Sequence, residues 1–362
     1  MHFSRMLRSL TLFTVVLAYA AVADANDSAA SKSSGGIVLT REAHISMEKE
    51  RLTISEKKIT VEYEFLNDSD EDITTEVAFP IPPYDAGEYE SAAGMRTFDD
   101  FHVWIENKEV RYETDTRAFI GKRDITDILN RYHVDIATVG HYNDEFVDID
   151  KLSKQQQAEL KQLGIPSTYN MRWGWSVHKT YHWQQTFPAH TTMHVRHEYK
   201  PAYGFQALQA HLFTPTGLTT DIADLEARAK QNPTDPSRFS YAIEEDKAES
   251  KLINNACVEP ALQKKLADTV DHYDEKTKQS QGDYVDASWV DYILTTANSW
   301  KTPIKNFELI VEKGSDPSGR QPFVSFCWDG PVMKLDATHF QATAKDFVPK
   351  HELHILFMFV AK

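Results

Sequence analysis

Thirty residues from Arg172 to Pro201, "RWGWSVHKTYHWQQTFPAHTTMHVRHEYKP", hold three of the chain's seven tryptophans and five of its fifteen histidines. Side chains of these types could ligate a metal, stack on a sugar or fill the core of a β-sheet. Read as a strand, His178, Thr180, His182 and Gln184 share one face, and Lys179, Tyr181, Trp183 and Gln185 share the other. After a turn at Phe187-Pro188-Ala189-His190, Met193, Val195, His197 and Tyr199 face one way while His194, Arg196 and Glu198 face the other. A catalytic zinc needs about three ligands converging on one point. His178 and His182 could join His194 or Glu198 in such a set, but the alternation divides the histidines between opposite faces. HExxH is absent, and His351-Glu352-Leu353-His354 has the wrong interval for it. The stretch therefore predicts a core hairpin, with neither metal nor cofactor. Trp173, Trp175 and Trp183 are its candidates for stacking on a ligand.

Other chemistry leaves few traces. There is no GxSxG elbow, no GxxxxGK[ST] phosphate loop and no GxGxxG after a strand. Paired carboxylates of the glycosidase kind meet in space and leave no linear motif. Asp68, Asp70 and Asp72 have the spacing that opens a calcium loop. Ile73 takes its glycine position, however, and Phe79 its bidentate-glutamate position, so a solvated turn is expected. Cys257 and Cys327 are the two cysteines of the chain, with no CxxC motif. In an oxidising compartment they are expected to pair, tying a helical segment to the C-terminal strands.

The address comes from the first 25 residues. Arg5 and Arg8 precede an apolar stretch from Leu10 to Val22, and Ala23-Asp24-Ala25 supplies a small-x-small cleavage pattern. Residues 1–25 are thus expected to be a signal peptide, with Asn26 opening a periplasmic or secreted chain. The longest later apolar run, "LHILFMFVA" from Leu353, is too short to span a bilayer, so no integral membrane segment is expected beyond the leader. The formal charge is −15, and losing two arginines and one aspartate with the leader makes it one unit more negative. Without a basic face, nucleic acid is excluded as a partner.

The elements that must carry these residues read mainly as strands. Asn26 to Gly36 is small and polar, a flexible start. Ile45–Ile54, Ile59–Phe65 and the "ITTEVAFP" run alternate apolar and polar residues, as half-buried strands do. Phe79-Pro80-Ile81-Pro82-Pro83 stops the third, because proline cannot donate to a ladder. Phe101–Val110 reads as two short strands around Glu106-Asn107-Lys108. Helices are expected briefly at Asp124–Arg131, and at Ser153–Leu163, Thr220–Lys230 and Glu259–Val270, with "QNPTDPSR" a loop between the last two. Further strands are expected at Asp291–Thr295, Phe307–Glu312, Phe323–Cys327 and His351–Val360. The last is apolar on both faces, which predicts an interior strand covered on each side.

These landmarks carry a resemblance. The run "GGIVLTREAHISMEKERLTISEKKITVEYEFLNDSDEDITTEVAFPIP" resembles the opening of a bacterial secreted family catalogued as domain of unknown function 4424. The likeness continues through Trp183, Phe187-Pro188 and Tyr199-Lys200-Pro201. It resumes at Tyr292 to Thr296, Trp300, Pro303-Ile304, Phe307 and Leu309, and ends at Val324-Ser325-Phe326-Cys327. It implies secretion and transfers no catalytic residue. Residues 45–200 are also similar to the VIT domain, which implies a β-sandwich with an interaction role. The expectation is a mainly β protein of sandwich architecture, with short helical insertions. A VIT-like sandwich would span 26–205, and a helical excursion followed by a second β-rich lobe 206–362. The expected function is non-enzymatic binding of an envelope or extracellular protein or glycan. An envelope glycan hydrolase and a carbohydrate-binding module are the alternatives.

Overall fold

The computed structural model describes residues 28–33, 36–85, 99–134, 136, 152–164, 175–202, 204–231, 236–274, 279–282, 284–315 and 319–360. The leader and Trp173 lie outside them. An eight-stranded sheet forms the base of the fold. It comprises β3 (Ile45–Ile54), β4 (Ile59–Asn67), β7 (Asp99–Ile105), β8 (Lys108–Glu109), β12 (Thr191–Lys200), β17 (Ile304–Glu312), β19 (Val332–Lys334) and β20 (His339–Phe347), in the order β19-β20-β17-β3-β4-β12-β7-β8. Glu106 and Asn107 both take positive φ, 49° and 62°, so the β7–β8 hairpin closes in a two-residue turn whose twist suits its strands.

A seven-stranded sheet contains β1 (Ser28–Ser33), β2 (Gly36–Leu39), β5 (Ile73–Pro80), β6 (Tyr84–Asp85), β9 (Glu113–Ile120), β10 (Arg123–Asp124) and β11 (Ser176–Phe187). The small polar opening, expected to be flexible, thus forms a hairpin that pairs with β5. A four-stranded sheet runs β13 (Gly204–Leu208), β16 (Val285–Tyr292), β21 (Leu353–Val360) and β18 (Phe323–Phe326). Strand β14 (Asp271–Asp274) pairs with β15 (Gln279–Gly282) in a two-stranded ribbon.

Among the described residues the helices are α1 (Thr126–Arg131), α2 (Lys154–Gln162), α3 (Pro215–Gln231), α4 (Pro236–Asn255) and α5 (Pro260–Val270). Ser153 caps α2 in a reciprocal box with Gln156, so that start was written in the sequence. Helix α4 was not expected. It ends where Cys257 takes φ 49°, Val258 N–H reaches the Ile253 carbonyl and Cys257 N–H reaches that of Asn254. A cysteine here does what glycine usually does at a helix end, which hid the stop. The strand expected at Asp291–Thr295 is also displaced: β16 ends at Tyr292, and Thr295–Ser299 is a 3₁₀ turn.

One apolar core joins three sheets. Tyr63, Phe65, Val195 and Leu309 of the eight-stranded sheet meet Phe79, Trp183 and Phe187 of the seven-stranded sheet, and Tyr292, Ile355 and Phe357 of the four-stranded one. Each such side chain, fully buried, contributes roughly 1.5–3 kcal/mol. Strand β17 pairs in parallel with β3, so chain from both sides of residue 205 shares one sheet and one core. The expected division there marks no break in either. Strand β21 is interior, as expected: Leu353, Ile355 and Phe357 enter the shared core, while Leu356 and Met358 enter a second core with Leu212, Ile253 and Leu266. The four-stranded sheet is therefore a middle layer between the sandwich and α3–α5. Cys257 and Cys327 form a disulfide with Cα atoms 5.0 Å apart, tying the end of α4 to the end of β18.

Candidate functional site

The alternation read in the Trp/His stretch holds in detail. Tyr181 and Trp183 on β11, and Met193, Val195, His197 and Tyr199 on β12, all point into the shared core. His178 and His182 lie on the opposite face of β11, and His194 and Glu198 on the opposite face of β12, in different sheets. The four do not gather. His182 Nδ1 instead sits 2.6 Å from Glu76 Oε1, and His178 packs on Phe119, where burial lowers its pKa. Glu198 is held by Lys58 and Arg196. His197 is enclosed by the rings of Tyr63, Phe79, Phe101 and Trp183, and burial pushes its pKa down to about 3. It is neutral core.

The stacking candidates fare no better. Trp175 is 4% exposed with its Nε1–H donating to the Ile136 carbonyl, and Trp183 is 5% exposed. Neither ring offers a face to a ligand, because alternation on a half-buried strand sends aromatics inward. The acidic turn is a set of local contacts: Asp68 pairs with Lys301, Asp70 with His190, and Asp72 accepts from the Ala189 N–H.

A different place has the shape of a binding site. Where the three sheets meet lies a small, partly open cleft. Its first wall is Ile81, Pro82, Pro83 and Tyr84, the chain leaving β5. The prolines interrupt the pairing with β11 after Ile81 N–H donates to the Lys179 carbonyl at 2.9 Å, and it resumes at Tyr84. Its floor is Tyr199 and Pro201, where a second proline ends β12 and the chain crosses from the eight-stranded to the four-stranded sheet. The far wall is Gly204, Trp289 and Asp291.

Gly204 lies directly opposite Trp289 in the β13–β16 register. A Cβ there would fall 2.0 Å from the indole, so only glycine lets this ring lie flat on the neighbouring strand. Asp291 Oδ1 is 2.6 Å from His354 Nδ1, and the carboxylate is 46% exposed at the rim. Beneath the floor lies a buried polar cluster. Glu50 is fully buried, and Tyr63 and Tyr292 bring their hydroxyls within 3.3 Å of each other. Burial, followed by the charge of Glu50, raises the Tyr199 hydroxyl well above its ordinary range. Burial is also the first cause for Tyr292. Both stay protonated at neutral pH.

The arrangement is an apolar and aromatic slot with one carboxylate. Among its lining residues there is no nucleophile paired with a base, and no second carboxyl faces Asp291. The three metal-type side chains that do come together among the described residues, His211, Asp221 and Asp246, lie apart from it in the helical lobe. None of the cleft residues stood out in the sequence. Its "FPIPP" strand stop was readable, but Trp289 and Asp291 arrive some two hundred residues later through sheet pairing.

Fold and cleft define a mainly β protein of packed sheets with an apolar slot at their junction. The chain belongs to the family described as domain of unknown function (DUF4424), which matches residues 25–356. No curated protein matches it. Among solved structures it is similar to one from Legionella pneumophila described as a "putative nutrient binding protein". The identity is 13%, the TM-score 0.38, and the match covers 92% of this chain and 70% of that one. So distant a likeness carries no argument about ligand. Among the described residues, no helix is long and apolar enough to cross a membrane.

Proposed function

We propose that this is an exported, non-enzymatic binding protein of the bacterial envelope or exterior, and that the cleft at the sheet junction is its binding site. The observation that carries the reading is the lining itself. Trp289, Tyr84 and three prolines form apolar walls, and Asp291 supplies a single negative acceptor at the rim. Slots of this make-up suit a small ligand with an aromatic or aliphatic body and a hydrogen-bond-donating or cationic end. A glycan hydrolase would need a second carboxyl about 5–9.5 Å from Asp291, and the lining supplies none. Export rests on the Arg5/Arg8, Leu10–Val22 and Ala23-Asp24-Ala25 pattern.

Phenethylamine, an aromatic ring with an ammonium end, is a suitable probe, with glucose as the carbohydrate arm. Saturation-transfer NMR is expected to show the amine ring bound, and Trp289→Ala and Asp291→Asn each to weaken it. Glucose bound in its place, with the same sensitivity to Trp289→Ala, would move the reading to a carbohydrate-binding module. Neither probe responding to either substitution would remove the cleft as the site. Sequencing the exported protein is expected to start at or within a few residues of Asn26, and a retained Met1 would end the export reading.

A further inference from the structure

The turn Ala210–Phe213, α3 and α4 bring His211, Asp221 and Asp246 together. His211 Nε2 lies 3.4 Å from Asp246 Oδ2 and 3.9 Å from Asp221 Oδ2, and one donor atom from each residue falls within 4.8 Å of the others. Asp246 is 7% exposed, and its Oδ2 is buried without a hydrogen-bond partner. The facing His211 Nε2 is in the same condition. One turn further along α4, Glu249 is also 7% exposed and accepts from Gln206 Nε2 at 2.6 Å. Two carboxylates thus face one imidazole.

We propose that His211, Asp221 and Asp246 bind one divalent first-row transition-metal cation of the zinc type, which clamps the 210–213 turn to α3 and α4. Tetrahedral zinc with bonds of about 2.0–2.1 Å places neighbouring ligand atoms about 3.3–3.4 Å apart. The His211–Asp246 separation already matches. The longer one closes by rotating Asp221, whose side chain is 40% exposed and leaves an entry path. One nitrogen and two carboxylates suit zinc and its neighbours, whereas calcium takes six to eight oxygens and no imidazole. The site departs from the metal-free expectation drawn from the sequence, because its ligands come from three elements with no fixed spacing. It is independent of the cleft.

The test is isothermal titration of the EDTA-dialysed full chain with zinc chloride and, separately, calcium chloride. One zinc per chain and no calcium heat are expected. His211→Ala and Asp246→Asn are each expected to weaken zinc by more than the roughly 10–100-fold that outer partners contribute. Circular dichroism checks that both variants fold. Should either fail, Asp221→Asn on the exposed side is expected to weaken zinc and to abolish the visible absorption of the cobalt-substituted protein. No stoichiometric zinc, or zinc retained unchanged by Asp221→Asn or by a folded His211→Ala/Asp246→Asn double variant, overturns the proposal.

Discussion

Two neighbourhoods of buried carboxylates sit on either side of the four-stranded sheet, and they are built oppositely. Glu50, in the sandwich, lies among the hydroxyl-bearing rings of Tyr63, Tyr199 and Tyr292. Those groups stay protonated and can donate. Asp246 and Glu249, in the helical lobe, lie near Asp221, Glu245 and each other, with His211 and Gln206 as the donors at hand. A buried acid surrounded by donors is compensated; one surrounded by acids holds a proton or a cation. The Glu50 neighbourhood therefore reads as structure, whereas the one around Asp246 suits the proposed metal ion.

The two sides should respond to pH with opposite signs. His197 is depressed to about 3 from an ordinary 6.5, so its contribution is present above 6.5 and is lost as pH falls toward 3. That window is worth up to about 5 kcal/mol. Replacing His197 with Phe is expected to flatten the acid limb of a denaturation–pH profile, and an unchanged limb would place the acid sensitivity elsewhere.

The disulfide ties the helical side to the four-stranded middle sheet. Its closed segment of 70 residues corresponds to about 4 kcal/mol in the chain-entropy view, an upper figure. The Cys257→Ser/Cys327→Ser variant is expected to lose up to this much. Amide exchange should rise first in α4 and α5 while β4 and β12 stay protected. Uniform loosening would mean the helical lobe is no separate unit of stability.

Glu249 supplies the other pH limb. Raised to about 7 from 4.5, it gives stability that is full below 4.5 and lost as pH rises through 7, up to about 3 kcal/mol. In metal-free protein, Glu249→Gln is expected to be more stable than the parent at pH 8 and equal to it near pH 4. Glu50→Gln should go the other way. It replaces an acceptor among hydroxyl donors and is expected to lower the urea-derived stability by about 1–3 kcal/mol. If both substitutions stabilise, the two neighbourhoods are alike and the contrast fails.

By itself the sequence determined the period-two strands, which side chains of β11 and β12 point inward, the capped start of α2 and the interior place of β21. All of these follow from local alternation or from a cap within one turn. The cysteine pairing was reachable too, since two thiols in an oxidising compartment leave one partner each. Local order could not show that Trp175 and Trp183 would be consumed by the core while Trp289 stayed at a cleft wall. That choice depends on Gly204 falling opposite Trp289 in a ladder between strands eighty residues apart. Nor could it show β17 beside β3, or His211 between Asp221 and Asp246. Such neighbours are chosen by which apolar faces must be buried together, a property of the whole packed chain and of no single stretch of it.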